Sequence, residues 1–385
     1  MLKILVTGGA GYIGSHTVKE LKNAGFDVVV LDSLETGHKE SIESRAEFEL
    51  CDLADKEKVR QIFKKHKPDA VIDFAAYLAV GESMEKPEKY LKNNVENFVN
   101  LLDVMSEVGC KYIIKSSTAS TYGNPEDEKE IPFVEDYTER FKPEKSYLLA
   151  GKWEGADVEG EEFFQKFIAA YNSIYANRPE IALSDEELAA LRIPLSIYGL
   201  SKMLDEVLLK KYDKISGIKS IVLRYFNVCG ADPEGEIGED KANPTTLMVV
   251  CILHLLGKIP ELKVFGNDYK TPDGTGIRDY IHVSDIAAGH VSALNYLLKT
   301  SVSDTFNLGT SKGSTVLEVI AAVNQASGKK VAYSFVGRRS GDPAVSVANS
   351  NKAEKMFEWK AKYSLADMAK TAWNWHTSHP KGFNR

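Results

Sequence analysis

The chain has 385 residues, 43% of them hydrophobic and 27% charged, with a formal net charge of -7; this is the make-up of an ordinary globular protein, long enough for one large or two smaller domains. The mildly acidic balance excludes a broad nucleic-acid or anionic-membrane surface, and leaves open a small anion held by local arginines or helix N-termini. Cys51, Cys110, Cys229 and Cys251 are far apart and the eight histidines lack ligand spacing, so neither a disulfide frame nor a metal site is expected. No apolar run reaches membrane-spanning length. The N-terminus enters a strand pattern at once, so no cleaved signal is expected and a reducing, cytoplasmic setting is the default.

Residues 2–6 read as a short buried strand, followed by Thr7-Gly8-Gly9-Ala10-Gly11-Tyr12-Ile13-Gly14-Ser15 and a helix to about Ala24. Strand, glycine turn and helix is the context of a dinucleotide fingerprint. Gly8, Gly11 and Gly14 allow the tight turn and let backbone N–H groups approach a pyrophosphate. Residues 26–31 form a second strand ending at Asp32, where an acid binds the adenine ribose hydroxyls and repels a 2′-phosphate, so NAD is expected rather than NADP. Ser33 and Leu34 follow, with no arginine. A third strand, 46–50, ends in Cys51-Asp52-Leu53. The Asp52 carboxylate either accepts from the adenine amino group or caps a helix beginning near Lys56.

The fourth strand is 70–74, and Ala75-Ala76 after it allow close approach of a cofactor edge. Residues 87–108 are expected to be helical, with Asn93-Asn94 interrupting the polar face. A fifth strand, 111–114, runs into the hydroxyl cluster Ser116-Ser117-Thr118-Ala119-Ser120-Thr121. It stands at a strand's carboxyl edge, where open α/β sheets bind ligands; it either bonds a substrate hydroxyl or caps a turn. Strands alternating with helices predict a doubly wound parallel sheet.

Residues 124–193 break the alternation. Residues 161–175 have helical periodicity with an aromatic face (Phe163, Phe164, Phe167, Tyr171), read as packing, and 184–187 fit a capping box opening a helix to Arg192. Then comes Tyr198-Gly-Leu-Ser-Lys202, a Tyr and a Lys on one helical face. An ammonium beside a phenol favours the phenolate, so the pair can take a proton from an alcohol. A sixth strand, 218–223, precedes Arg224-Tyr-Phe226-Asn227. An apolar helix is expected over 243–257, another over 284–298, a strand over 305–309 and a final amphipathic helix over 365–375. Arg338-Arg339 with Asp342 make a basic loop, a candidate anion clamp.

Together, Thr-Gly-Gly-Ala-Gly-Tyr-Ile-Gly-Ser-His (7–16), Ala-Val-Gly-Glu-Ser (79–83), Tyr-Gly-Leu-Ser-Lys (198–202), Leu-Arg-Tyr-Phe-Asn (223–227), Phe-Gly-Asn-Asp-Tyr (265–269) and Asp-Gly-Thr-Gly-Ile-Arg-Asp-Tyr-Ile-His-Val (273–283) closely resemble the UDP-glucose 4-epimerase family, of the extended short-chain dehydrogenase/reductase superfamily. The resemblance covers nearly all of the chain except about 139–192. It implies a Rossmann-type sheet with a smaller C-terminal α/β substrate domain and a helical insertion before the catalytic helix. The expected boundaries are 1–138 and 194–230 for the NAD-binding domain, 139–193 for the insertion, and 231–385 mainly for the UDP-sugar domain, with some segments returning to the first.

The resemblance further implies that Tyr12, Ile13, Asp32, Ser33, Asp52, Leu53, Phe74, Ala75, Ala76, Asn93, Lys202 and Phe226 line a tightly held NAD, and that Thr118 and Tyr198 are the catalytic hydroxyl pair beside Lys202. Asn227, Thr246, Leu247, Phe265, Arg278, Arg339 and Asp342 match positions that hold the UDP-sugar, with Phe265 on uracil and the two arginines on the diphosphate. Tyr198 then takes the proton of the sugar's 4-hydroxyl, carbon 4 gives its hydride to NAD, the keto sugar turns, and hydride and proton return to the other face. A homodimer is the family's assembly.

Four departures stand out. Leu78 replaces a common lysine near the cofactor phosphates, removing one charge contact, and Ser33 replaces a common asparagine. Ser346 is small where some members are aromatic, which suggests that UDP-N-acetylglucosamine and UDP-N-acetylgalactosamine are also interconverted. The insertion is the largest difference; a helical subdomain near the pocket mouth is expected. Two rivals are a sugar-nucleotide 4,6-dehydratase, disfavoured because Ala119-Ser120 stand where an Asp-Glu pair is needed, and an inactive NAD- or UDP-sugar-binding regulatory protein.

Overall fold

The computed structural model describes residues 1–123, 131–135, 175, 178, 180–182, 196–339 and 342–383. The short apolar runs become β1 (Lys3–Thr7), β2 (Asp27–Asp32), β3 (Glu47–Leu50), β4 (Ala70–Asp73), β5 (Tyr112–Thr118) and β6 (Lys219–Tyr225). With β10 (Asp304–Leu308), reached after the short strands β7 (Asn227–Cys229), β8 (Lys263–Phe265) and β9 (Ile277–His282), they form one parallel sheet in the order β10-β6-β5-β4-β1-β2-β3. Its strands are apolar on both faces because helices cover both. Leu5 and Val29 point to one layer, against α2 (Lys56–His66), α5 (Asn97–Val108) and α6 (Ile197–Ser216), which follow α1 (Tyr12–Asn23), α3 (Val80–Glu85) and α4 (Pro87–Tyr90) along the chain. Ile4, Val6, Val28 and Val30 point to the other, against α1 and the later helix Val283–Thr300. This period of two follows from the strand's pleat.

The second layer of the chain is built from smaller pieces. Strands β11 (Gly313–Thr315) and β13 (Val345–Ser346) flank β9, on which β7 also pairs, while β12 (Ser334–Val336) pairs with β8. Helices α7 (Leu247–Leu255), α9 (Val316–Ser327) and α11 (Leu365–Ser378) close a separate apolar cluster around Met248, Ile252, Val319, Val323 and Met368. The long helix Val283–Thr300, α8, lies on α1, and α10 (Asn351–Phe357) lies on α8 and β10. No helix among the described residues is long and apolar enough to cross a membrane, and all four cysteines are free and buried.

Three expectations need correcting. The single helix over 87–108 is three pieces: α4, a π-helical stretch Leu91–Glu96, and α5. The wide turn brings Asn94 inward, as such bulges do. Its side chain accepts from Tyr77 N (2.9 Å) and donates to Tyr77 O (3.1 Å) and Ser201 Oγ (3.0 Å). The helix expected from 243 begins only at Leu247, because Thr246 is still extended and gives its hydroxyl to Glu239 rather than to the helix. The cap of α2 is Asp55, which accepts from Lys58 N, and not Asp52.

The helices expected over 161–175 and 184–192 lie outside the described residues. What is described of the excursion seats on the far end of α6. Tyr175 and Ile181 join the apolar layer of α5 and α6, and Ala182 O accepts from Lys211 Nζ at 2.7 Å. Arg178 grips Asp103 with both terminal nitrogens at 2.9 Å, and the Tyr212 hydroxyl and Lys56 reach the same carboxylate. Tyr212 lies fourteen residues beyond Tyr198, about 21 Å along the helix. Burial pushes the Asp103 carboxyl up, but the hydrogen bonds from Arg178, Lys56 and Tyr212 outweigh it and hold it below its usual range.

Two tests follow from these contacts. Asn94→Ala leaves the part-buried N–H and C=O of Tyr77 without their partner, and is expected to cost about 1–3 kcal/mol, read as a lower urea midpoint at unchanged slope; an unmoved midpoint contradicts the strut. A carboxylate depressed in the folded state stabilises above its unfolded pKa and loses that contribution as pH falls through the folded value. The stability gap between the protein and Asp103→Asn is therefore expected to be widest near neutral pH and to shrink towards about pH 3, and a gap that ignores pH contradicts the assignment.

Candidate active site

The sheet reverses its winding at β1, which has β2 on one side and β4 on the other. Open α/β sheets bind ligands in the crevice that such a reversal leaves at their carboxyl edge. A cavity of about 710 Å³ opens there and runs on between the sheet and the second layer. The turn after β1 is shaped by its glycines. Gly8 has φ +67°, and a Cβ on it would lie 2.7 Å from Ala75 N; a Cβ on Gly14 would lie 2.3 Å from Gly8 O. Only a residue without Cβ fits either place. Gly8, Gly11, Tyr12, Ile13 and Gly14 line the cavity's floor.

Asp32 stands at the end of β2, lining the same cavity. Its carboxylate accepts from Ala10 N (2.9 Å) and Leu34 N (2.8 Å), which orient it. Burial lifts its pKa, and those two hydrogen bonds pull it back. Asp52 accepts from Ala54 N at 2.8 Å, and with Ser33 and Leu53 lines this end. Phe74, Ala75, Ala76 and Asn93 line it from the β4 side, and Phe226 from β6. Leu78 also lines the cavity and is exposed. A residue not singled out from the sequence, Tyr77, reaches across the mouth to both carboxylate oxygens of Glu35 (2.9 and 2.7 Å).

At the other end Asn227, Thr246, Leu247, Phe265, Arg278, Arg339 and Asp342 line the wall. The Arg339 guanidinium lies 3.8 Å from the centre of the Phe265 ring, and Arg278 Nη2 is 3.6 Å from Asp342 Oδ1. Arg338 points elsewhere, donating to Asp268 and covering Tyr269. So the basic loop contributes one guanidinium to the cavity, and β9 the other. Ser346 does not line it. It pairs with Arg278 in the β13–β9 ladder, and the wall there is made by Arg278 and Asp342. The expected room at a sugar's carbon 2 therefore has no support in this geometry.

Tyr198 and Thr118 both face the cavity. Ser196 caps α6 by accepting from Gly199 N, and Ser83 Oγ accepts from Tyr198 N at 3.2 Å, so the first turn is held from two sides. Thr118 is the last residue of β5. Burial pushes the Tyr198 phenol up to about 12, against the pull of a hydrogen bond from Thr118 and of the Lys115 charge, with Asp205 adding to the rise. Lys202 departs from expectation. It is off the cavity lining, donates to Ser116 O (3.1 Å) and Oγ (3.3 Å), and is itself lowered to about 8 by burial and then by Lys115. A lysine on the Tyr198 face of the helix need not point at Tyr198, and this one points down into the sheet.

Sequence reasoning missed the charges beneath the site. Lys115 Nζ lies 2.5 Å from Asp73 Oδ2 and 2.9 Å from Asp205 Oδ2, all three fully buried. Arg224 and Ser117 meet Glu206 in the same layer. The available signal was a lysine directly after the apolar run Ile113-Ile114 of a central strand, a place where an unpaired charge is not tolerated.

Comparison with known proteins agrees with this geometry. The family model described as the NAD dependent epimerase/dehydratase family matches residues 4–154 and 164–309. A UDP-glucose 4-epimerase of Streptococcus mutans is 40% identical over 386 residues, covering 100% of this chain and 99% of that protein. The crystal structure of the Stenotrophomonas maltophila UDP-glucose-4-epimerase, with bound NAD and formylated UDP-arabinopyranose, is 33% identical, covers 99% of both chains and superposes with a TM-score of 0.82. That of Bifidobacterium longum UDP-glucose 4-epimerase with NAD+ and UDP is also 33% identical over 99% of both, at 0.79. Matched across most of its length by the model and across all of it by such a relative, this chain belongs to the NAD-dependent epimerase/dehydratase family.

Proposed function

We propose that the protein interconverts UDP-glucose and UDP-galactose by transient oxidation at sugar carbon 4, with NAD as resident cofactor. What carries this reading is a single cavity that takes in the glycine turn, the Tyr198–Thr118 pair and the two arginines together. The residues fit a dinucleotide: the turn has no room for side chains where a pyrophosphate would approach, and Asp32 is an oriented acceptor at the ribose position. Gly8, Gly11, Tyr12, Ile13, Gly14, Asp32 and Asp52 would hold it, with Phe74, Ala75 and Asn93 along the other side. NAD, when bound, accepts and returns the carbon 4 hydride and adds a positive ring that favours the phenolate.

This chain's own groups do the rest. Arg278 and Arg339 bind the diphosphate, and uracil takes the face of Phe265 that Arg339 leaves free. Tyr198 takes the proton of the 4-hydroxyl and later returns it to the same oxygen. Thr118 hydrogen-bonds that oxygen. The anchored diphosphate lets the sugar ring turn while its product stays bound. Leu78 supplies no charge to the cofactor end. The protein acts as a homodimer in the cytoplasm, a setting in keeping with four free, buried thiols; light scattering on the purified protein tests the dimer.

Purified protein is expected to convert UDP-galactose to UDP-glucose, followed in a coupled assay. Tyr198→Phe is expected to lower kcat on the order of 10²-fold or more, and no product from the unmodified protein would favour the inactive, regulatory reading instead. Arg339→Ala is expected to raise KM by about tenfold with kcat little changed, since it removes binding common to ground and transition states. An unchanged KM contradicts its placement on the diphosphate.

A further inference from the structure

We propose that Lys115 and Asp205 are positioning residues for Tyr198, two arms of a buried ion-pair network that ties β4 and β5 to α6 and sets the electric field at the phenol. The proposal rests on the epimerase reading above. Four charged side chains from three elements meet here: Asp73 from β4, Lys115 from β5, and Lys202 and Asp205 from α6, each no more than 1% exposed. The network runs along the two elements that carry the reacting pair. Lys115 is three residues before Thr118 on β5, and Asp205 is seven after Tyr198 on α6, on the same helical face as Lys202. Asp73 spends its other oxygen on Ala75 N (3.2 Å) and the Thr7 hydroxyl, at the cavity floor.

A structural bridge alone does not explain this arrangement. Buried ion pairs are commonly no better than apolar side chains of similar size. A purely structural carboxylate would also have both its oxygens hydrogen-bonded, yet Asp205 Oδ1 has no hydrogen-bond donor among the described residues. Its Oδ2 meets Lys115 Nζ at 2.9 Å, and Lys202 gives its protons to Ser116 instead. Asp205 is thus held by one oxygen, with the other left without a donor in the layer beneath the site.

The groups that act on Tyr198 are Thr118 and Lys115 from β5 and Asp205 from its own helix, with Tyr90 from α4 and Tyr225 from β6 beside it, while Lys202 and Asp73 face Lys115 and Asp205 instead. Lys115 pulls the phenol's pKa down and Asp205 pushes it up. Burial raises Asp205 to about 6, against the pull of Lys115 and Lys202.

The test is the pH dependence of kcat in the NAD-bound enzyme, whose acid limb reports ionisation of the base. Asp205→Asn is expected to move that limb about one unit to lower pH. Adding Lys115→Met to Asp205→Asn is expected to move it back up, by a similar amount. A merely structural role changes kcat, KM or melting temperature but does not move the limb in opposite directions. An unmoved limb in Asp205→Asn, with normal folding and NAD content, overturns the proposal. So does a double variant whose limb stays where Asp205→Asn put it. Should Lys115→Met not fold, Asp205→Asn alone decides. Inactivity of the unmodified enzyme on UDP-galactose would instead remove the epimerase reading, which keeps the two failures apart.

Discussion

Tyr198 sits in the first turn of α6 with its phenol out of water, and taking a phenol out of water favours its protonated form. That cost sets the terms for what surrounds it. Thr118 lies beside it at the end of β5, Lys115 brings a positive charge beneath, and the backbone of the first helical turn is fixed by Ser196 and Ser83. Burial is still the largest influence in this arrangement. A base so placed is neutral until further positive charge arrives, and the cavity beside it is lined by a turn suited to a dinucleotide whose oxidised ring is positive. On the proposed reading, cofactor charge and base strength are coupled: the phenolate is favoured once the group that takes the hydride is in place.

Rigid elements hold each part of the site. The glycine turn, the ends of β4 and β5 and the start of α6 all belong to one parallel sheet with both faces covered, while Phe265, Arg278 and Arg339 come from the smaller sheets of the second layer. The described residues of the excursion attach at the opposite end of α6, through Arg178, Tyr175 and Ile181, and none of them lines the cavity. These residues are thus fastened to the distal turns of the helix that carries Tyr198.

Much of this was legible in local patterns. A strand followed by Gly8, Gly11 and Gly14, an acid at the end of the next strand, and hydroxyls at the end of the fifth each report on backbone over ten residues or fewer, and each landed on the cavity. Features that depend on side-chain direction or on partners far along the chain were not legible. Spacing of four put Lys202 on the Tyr198 face but could not say that it would turn to Ser116. Ser346 aligned with a pocket position, but its ladder partner Arg278 makes the wall. Asp52 could be read as an adenine acceptor or as a helix cap, and the structure gives the cap to Asp55. The Lys115–Asp205 pair joins residues ninety apart, and no periodicity announces it. The π-helical stretch was invisible for a similar reason: Asn94 is drawn inward by Tyr77 and Ser201, which a helical pattern does not contain.

The most direct measurement is a crystal structure of this protein with NAD and UDP-glucose bound. The expected result is a Tyr198 hydroxyl oxygen about 2.6–3.2 Å from the sugar's 4-oxygen, a hydrogen-bonding distance for proton transfer, with Thr118 on that same oxygen. A sugar seated between Phe265 and Arg339 whose carbon 4 faces another base, with the phenol more than one water away, would contradict it.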